Sequence, residues 1–402
     1  MEQIDIESQK HSRYKKQGQS EMKIINICLC GSYNCGWGYQ ENILAKYQRL
    51  NGNDVTIITS RFINDKNSEG YLEVPAETQF DNGLKVIRLE HGIGSELTKL
   101  FRVYKDLYKT LEEEKPDFIF IHGCQFLDIT KVCKYLKNNP NVKCSVDNHA
   151  DYTNSAQSVL AKVVHKTLWK YCARRIDKYA ECFYGVLPVR CDFLNEMYGI
   201  NRNHIKLLVM GADDEMVEYG ISKRTETRET LRINDDFVII TGGKIDLHKK
   251  ETLELMKTVN KVNNPNIKLL VFGSVVDELK EEFNSLLSEE IIYLGWINQK
   301  EQYKYICASD LAIYPGRHSV IWEQTVGCGI PSVFKYLPNS QHVDIGGNCI
   351  FLKECSEKSL EDIILELYSD REKYTKMKKA SQELGMKAFS YKRIAKESLS
   401  LY

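Results

Sequence analysis

Four segments of the chain place cations, carboxylates or imidazoles beside glycine in patterns that could handle an anionic ligand. Gly242-Gly243-Lys244-Ile245-Asp246-Leu247-His248-Lys249-Lys250 sets two glycines directly before a run of cations. Glycine lets backbone come close to a ligand, and lysine offers a point charge to a phosphate. Gly243, Lys244 and Lys249 are therefore candidate phosphate contacts. The competing reading is a glycine turn followed by a solvated basic helix start. Cations at a helix N-terminus oppose the helix dipole, which favours an anion in the site. The second segment runs from Tyr314 to Pro331 through Arg317-His318-Ser319-Val320-Ile321-Trp322-Glu323. A helix opening near Ser319 would aim backbone N–H groups at phosphate oxygens. Glu323, about one turn in, could accept hydrogen bonds from ribose hydroxyls, or could simply cap the helix.

The third segment is the loop Gly31-Ser-Tyr-Asn-Cys-Gly36-Trp-Gly38, followed by Glu41. It lacks Gly-x-Gly-x-x-Gly, which removes the main support for a dinucleotide-dependent oxidoreductase. A glycine loop before a helix still suits a diphosphate or a second substrate. The fourth is Asp147-Asn148-His149-Ala150-Asp151, with His122-Gly123 ending the preceding strand in the same manner. His149 could hydrogen-bond a sugar hydroxyl or a second substrate, and the alternative is a capping and turn segment. No Asp-x-Asp stands at a strand end, so no metal and no cofactor is expected.

These residues need elements to position them. An apolar run over 23–30, the glycine loop, a helical pattern over 39–50 stopped by Asn51-Gly52, and a strand over 54–59 form a β-loop-α-β unit. Strands are predicted over 86–89, 118–122, 144–147, 184–188 and 205–208, with helices over 97–114, 129–137 and 157–178. The polar stretch 211–228 reads as a linker. After it the alternation restarts, with strands over 237–241, 268–272, 291–293, 311–314 and 332–334. Helices are expected over 252–262, 277–287 and 300–308 and from about Trp322, and only helices over 360–401. Two successive doubly wound α/β domains follow, over 22–210 and 211–385. In open α/β sheets ligands sit beyond the carboxyl ends of the strands, where all four segments fall.

Composition agrees with a soluble globular protein. The 402 residues suit two domains, and a hydrophobic share of 43% with 27% charged is ordinary. Zero formal net charge gives no argument for nucleic acid as a partner. The 13 cysteines are scattered without zinc-ribbon spacing, which suggests a reducing compartment. Residues 1–21 are polar and are expected to be a disordered extension rather than a leader. No apolar run nears the roughly 20 residues that span a bilayer. A cytoplasmic location is expected.

The same segments in this order resemble the GT-B glycosyltransferases, in particular the large retaining family 4, over nearly the whole chain from Met22. Gly36, Gly38 and Glu41 resemble that family's first glycine-rich loop, and Met210-Gly211-Ala212-Asp213 its interdomain segment. Gly243-Lys244 with Lys249 resembles its Gly-Arg-Leu…Lys signature, lysine replacing arginine. Leu294-Gly295-Trp296-Ile297 resembles the stretch that meets the nucleobase, and Glu323 the second glutamate of Glu-x7-Glu, which binds the ribose. The first glutamate of that motif is Pro315 here, and Arg317 or His318 could take over part of its role. Phe389-Ser390-Tyr391 resembles the start of a C-terminal helix, 386–402, that returns to the first domain.

The resemblance implies two Rossmann-like domains facing a cleft. The activity it implies is metal-independent, retaining transfer of a hexose-type sugar from a UDP- or GDP-sugar to a hydroxyl of a glycan, polymer or lipid-linked acceptor, of the kind that builds cell-envelope polysaccharide. Lys244, Lys249 and His149 would carry the chemistry, and Gly36, Gly38, Gly243, Trp296, Ile297, His318, Ser319, Val320 and Glu323 would bind the donor. Glu41, His122, Asp147 and Asp151 would lie on the acceptor side. A GT-B epimerase of nucleotide-sugars and a non-catalytic binding protein are the alternatives. Basic stripes beside aromatics over 97–114 and 163–179 would suit peripheral contact with anionic lipid, or are solvated faces of core helices.

Overall fold

The structure, a computed structural model, describes residues 21–65, 70–247 and 250–399. Nearly all of the expected extension, and Lys249, lie outside the described residues. The chain divides into two compact units, one running to Val209 and resuming at Ile394, the other Met210–Arg393.

In the first unit β1 (Lys23–Cys28), α1 (Gln40–Leu50) and β2 (Asp54–Ser60) form the opening crossover. A small antiparallel pair follows, β3 (Phe62–Asn64) with β4 (Tyr71–Glu73), then β5 (Thr78–Asp81) and β6 (Leu84–Leu89). Next come α2 (Ser95–Phe101), α3 (Leu107–Glu114), β7 (Phe118–His122), α4 (Ile129–Asn138) and β8 (Lys143–Asn148). α5 (Val159–Val164) and α6 (Lys170–Ile176) are joined by a π turn over His165–Trp169. The set closes with β9 (Cys182–Gly185), α7 (Pro188–Tyr198) and β10 (Ile205–Leu207). The sheet order is β10-β9-β8-β7-β1-β2-β6-β5, parallel except for β5. β1 and β7 are buried almost throughout, which is why they read as continuous rather than alternating apolar runs. The order reverses between β1 and β7, so the loops after these strands open at a topological switch point.

The second unit begins with α8 (Asp214–Ser222) and α9 (Arg224–Leu231). Its sheet alternates β11 (Phe237–Gly242), α10 (Glu251–Val262), β12 (Ile267–Phe272), α11 (Asp277–Ser285), β13 (Ile291–Tyr293) and α12 (Gln299–Ala308). It continues with β14 (Leu311–Tyr314), α13 (Ile321–Gly327), β15 (Ser332–Lys335) and β16 (Cys349–Leu352). α14 (Glu357–Ser369), α15 (Arg371–Ala380) and α16 (Met386–Ala388) follow, and the first unit resumes at Ile394 within α17 (Tyr391–Glu397). All six strands are parallel in the order β13-β12-β11-β14-β15-β16, the Rossmann order with its switch point between β11 and β14.

Several expectations change. The helix expected over 97–114 is broken into α2 and α3, because Arg102 and Asp106 are left-handed (φ 55° and 58°). The break is held by tertiary contacts: Tyr104 N–H donates to Asp128 at 2.6 Å, and Tyr104 bridges His91. The expected linker 211–228 is helical. Asp213 caps α8 through Glu215 N–H, and Arg224 and Arg228 both grip Asp310, at 2.5 and 3.0 Å. The strand expected over 184–188 stops at Gly185, since Pro188 opens α7, a first-turn position proline favours. The helix expected near Ser319 starts at Ile321.

Candidate functional site

Both units gather their candidate residues at strand ends. In the first, Asp147 and Asn148 end β8, His122 ends β7, and Glu41 lies in the first turn of α1. Asp147 is fully buried and joins the two histidines: one carboxylate oxygen accepts from His122 Nδ1 at 3.0 Å and from His149 Nε2 at 3.3 Å, while the other accepts from Gly123 N–H at 3.1 Å. Burial works to raise the Asp147 pKa, yet the charges and hydrogen bonds of His149 and His122 outweigh it. The carboxyl stays well below its usual range. His149, a third exposed, is shifted the opposite way: burial lowers its pKa, but Asp147 and then Glu41 raise it above its ordinary value. A cation is thereby favoured at an accessible strand end.

His122 continues the chain of contacts inward. Its Nε2 meets Asn26 Oδ1 at 3.1 Å, Asn26 donates to Gln48 at 2.8 Å, and Gln48 donates to Ser398 at 3.1 Å. Asp151 is committed differently. Thr153 N–H and Oγ1 and Asn154 N–H donate to one oxygen and Arg190 Nε to the other, so its side chain builds the turn after His149. In the glycine loop, Gly36 has φ +73° and gives its N–H to Asp81 at 3.0 Å. Tyr33 and Asn42 bind the same carboxylate at 2.8 and 3.3 Å. Gly38 is half-buried beside them. Asp81 is thus the organiser of this loop, and it went unread because its partners lie 39 to 48 residues earlier in the chain.

In the second unit, Gly243 (φ +110°) turns the chain out of β11 and donates to Phe272 O at 3.0 Å. Gly273 ends β12 against it: a Cβ on Gly273 would lie 1.9 Å from Gly243 O. Only paired glycines allow these two strand ends to approach so closely. Lys244 is exposed beyond them, without a hydrogen bond or ion pair among the described residues. Trp296 stands 76% exposed after β13, and half-buried Ile297 leads into the Asn298–Glu301 capping box of α12. Trp296 and Ile297 thus lie on the β13 loop, while Gly243 and Lys244 lie on the β11 loop.

Glu323 lies at the β14 end of the switch point, 0% exposed. Its Oε1 accepts from His318 Nε2 and His342 Nε2, each at 2.8 Å. Burial would raise its pKa, but the two imidazoles pull it down to about 2. Glu323 Oε2, His342 Nδ1 and Trp322 Nε1 have no hydrogen-bond partner among the described residues. A buried carboxylate oxygen without a donor is costly, and a ligand hydroxyl would satisfy it. Ser319 and Val320 are half-buried and accept from Trp322 and Gln324 N–H, forming the first turn of α13. His342, on the single turn Gln341–Val343, is the residue that sequence reasoning missed. The available signal was a polar run four residues past the end of β15, Asn339-Ser340-Gln341-His342. Among the described residues two groups have ligand atoms near enough for a metal ion, Glu41–His122–His149 and His318–Glu323–His342. In the second, histidine already hydrogen-bonds the carboxylate.

Residues 222–384 match the family described as Glycosyl transferases group 1. The chain is 24% identical over 237 residues to an uncharacterized 41.2 kDa protein in the cps region of Klebsiella pneumoniae, covering 57% of this chain and 61% of that relative. It thus spans less than two thirds of the curated relative it matches. Among solved structures it resembles Anabaena Alr3699/HepE in complex with UDP and glucose. That likeness has a TM-score of 0.61 and 13% identity, and covers 94% of this chain and 98% of HepE. A UDP-N-acetylglucosamine 2-epimerase is similar at TM-score 0.59 and 8% identity, over 95% of both chains. These likenesses identify the fold as GT-B, with its two Rossmann-like parallel sheets.

Proposed function

We propose that this chain is a retaining glycosyltransferase that moves a hexose-type sugar from a UDP- or GDP-sugar to a hydroxyl of a glycan, polymer or lipid-linked acceptor, without a metal ion. The observation that carries this reading is the buried Glu323, anchored through one oxygen by two histidines and left with the other oxygen free for a ligand hydroxyl. It sits at the switch point of the unit that matches the group 1 glycosyltransferases. The cps-region location of the Klebsiella relative and the UDP bound by HepE support the same substrate class.

In this reading Glu323 Oε2 accepts from the ribose hydroxyls, with His318 and His342 holding its other oxygen. Trp296 and Ile297 line the base, and the β11 turn with Gly243 brings Lys244 to the diphosphate, with Lys249 proposed as the second cation. The bond from the anomeric carbon to the β-phosphate oxygen breaks as the acceptor oxygen bonds to that carbon from the same face. The acceptor proton leaves with the departing diphosphate. Negative charge grows on the phosphates and positive charge on the sugar ring, so fixed cations at the phosphates lower the barrier. His149, its pKa raised by Asp147, serves the sugar or acceptor side with Glu41 and His122, in a loop built by Asp151.

Incubation with a panel of nucleotide-sugars in EDTA tests this. Metal-independent release of a nucleoside diphosphate from one donor is expected, with Lys244→Ala slowing it about 100-fold or more. No binding of any nucleotide-sugar would end the proposal. A second reading is favoured by the likeness to the 2-epimerase. It would show itself as an intact isomeric nucleotide-sugar in place of diphosphate release.

A further inference from the structure

The segment that begins ten residues after His149 presents a face of mixed chemistry. α5, the π turn and α6 run as one continuous helical rod over 159–176. Its inner side belongs to the first unit's core: His165, Trp169, Cys172, Ala173 and Ile176 are buried. On its outer side Val159, Leu160 and Val163 are 80%, 75% and 51% exposed, and Tyr171 is half-exposed. Val159, Val163, Thr167 and Tyr171 recur every four residues and make one stripe. Lys162, Lys166, Lys170 and Arg174 recur at the same interval and make a second stripe alongside. In a pure α-helix, steps of four drift by about 40° per step. The wider π turn takes up part of that drift and keeps both stripes aligned.

Charge identifies the occupant. Residues 159–176 hold five cations and no acid, in a chain whose formal net charge is zero. Lys162, Lys166 and Lys170 make no ion pair among the described residues, and Arg174 pairs only with Asp177, just past the rod. Aliphatic side chains at the tip, with flexible cationic stems beside them, fit a surface that is apolar inside and anionic outside. The rod is also tied to the candidate site. Asn154 Nδ2 donates to His149 O at 2.7 Å, and Ser158 caps α5 through Ala161 N–H at 3.1 Å, so the connecting loop is folded tightly.

We propose that the outer face of 159–174 docks on an anionic lipid surface, with Val159, Leu160 and Val163 among the acyl chains and Lys162, Lys166 and Lys170 on the headgroup phosphates. This rests on the rod's own residues and not on the transferase reading. The full chain is sedimented with vesicles of equimolar phosphatidylglycerol and phosphatidylcholine, and with phosphatidylcholine alone. Binding to the anionic vesicles, weakened by salt, and little binding to the neutral ones is expected. Lys162→Glu with Lys166→Glu lowers the partition constant by about tenfold or more. Leu160→Ser with Val163→Ser lowers it by about tenfold. Both pairs are exposed, so the melting curve and diphosphate release without vesicles stay as in the parent, which separates this proposal from the donor reading. The proposal falls if the parent stays in the supernatant, or if both double variants sediment like the parent. It also falls if the parent is a dimer that Leu160→Ser with Val163→Ser dissociates and no vesicle binding is seen, because the face then belongs to a second copy.

Discussion

Glu323 is a negative charge fully withdrawn from water, and what surrounds it decides both stability and binding. Burial alone would favour its neutral form, but His318 and His342 lower its pKa from the ordinary 4.5 to about 2. A carboxyl lowered in the folded state stabilises that state above its unfolded pKa, and the gain is lost as pH falls through the folded one. The second unit should therefore lose stability on acidification from about 4.5 to about 2, by an amount on the order of 3 kcal/mol. Urea melts near neutral pH and at pH about 3 measure the loss, and Glu323→Gln should flatten it. The same substitution puts a neutral amide where the ribose hydroxyls are proposed to donate. The KM for the nucleotide-sugar should rise about tenfold or more, with a smaller change in kcat. An unchanged KM would remove Glu323 from the donor site. Glu323 was legible in the sequence because a carboxylate just after a strand and inside a helix's first turn is a local pattern. His342 was not, because it reaches Glu323 from 19 residues further on, across a strand and a loop.

At the scale of elements, strand ends were legible and connections were not. Every strand that bears a candidate residue was expected within a few residues of its observed bounds, because fully buried parallel strands read as compact apolar runs bounded by glycine. The break between α2 and α3 escaped because the left-handed Arg102 and Asp106 are set by Asp128 and His91 rather than by helical periodicity. The polar stretch 211–228 escaped because Arg224 and Arg228 are partly buried by their pairing with Asp310, more than 80 residues away. The β11 and β12 ends give a sharper case. Gly273 has φ +114°, and an added Cβ would overlap Gly243 O. Gly273→Ala must push the two turns apart and strain its own backbone, at a cost of roughly 1–3 kcal/mol for each effect. Because Lys244 follows Gly243 directly, nucleotide-sugar affinity should fall together with the melting temperature. An affinity equal to the parent's in Gly273→Ala would show that the β11 turn does not set the diphosphate grip.

At the scale of the molecule, the first unit is discontinuous: the chain leaves it at Val209 and resumes it at Ile394. The returning piece is short but deeply placed, with Ile394, Ala395 and Ser398 fully buried. Gln48 donates to Ser398 Oγ at 3.1 Å and Tyr184 to Glu397 O at 3.1 Å. Through Gln48 and Asn26 that contact reaches His122 and then Asp147, so the buried polar chain ending at His149 starts in this segment. A chain ending at Arg393 would forfeit the burial of Ile394, roughly 1.5–3 kcal/mol. It would also leave two polar groups unpaired, at roughly 1–3 kcal/mol each. For a unit of this size each kcal/mol is worth about 2–4 °C, so its calorimetric transition should fall by about 10 °C or more. Gln48→Leu in the full chain should reproduce part of that drop, because it breaks the same contact from the other side. His149 gives an independent readout by NMR. Its titration midpoint, raised above the ordinary imidazole value by Asp147, should move down in Gln48→Leu if the polar chain holds Asp147 in register, and stay if only packing is lost. A shortened chain that melts like the full one would show that the first unit completes its core without residues from 394 onward.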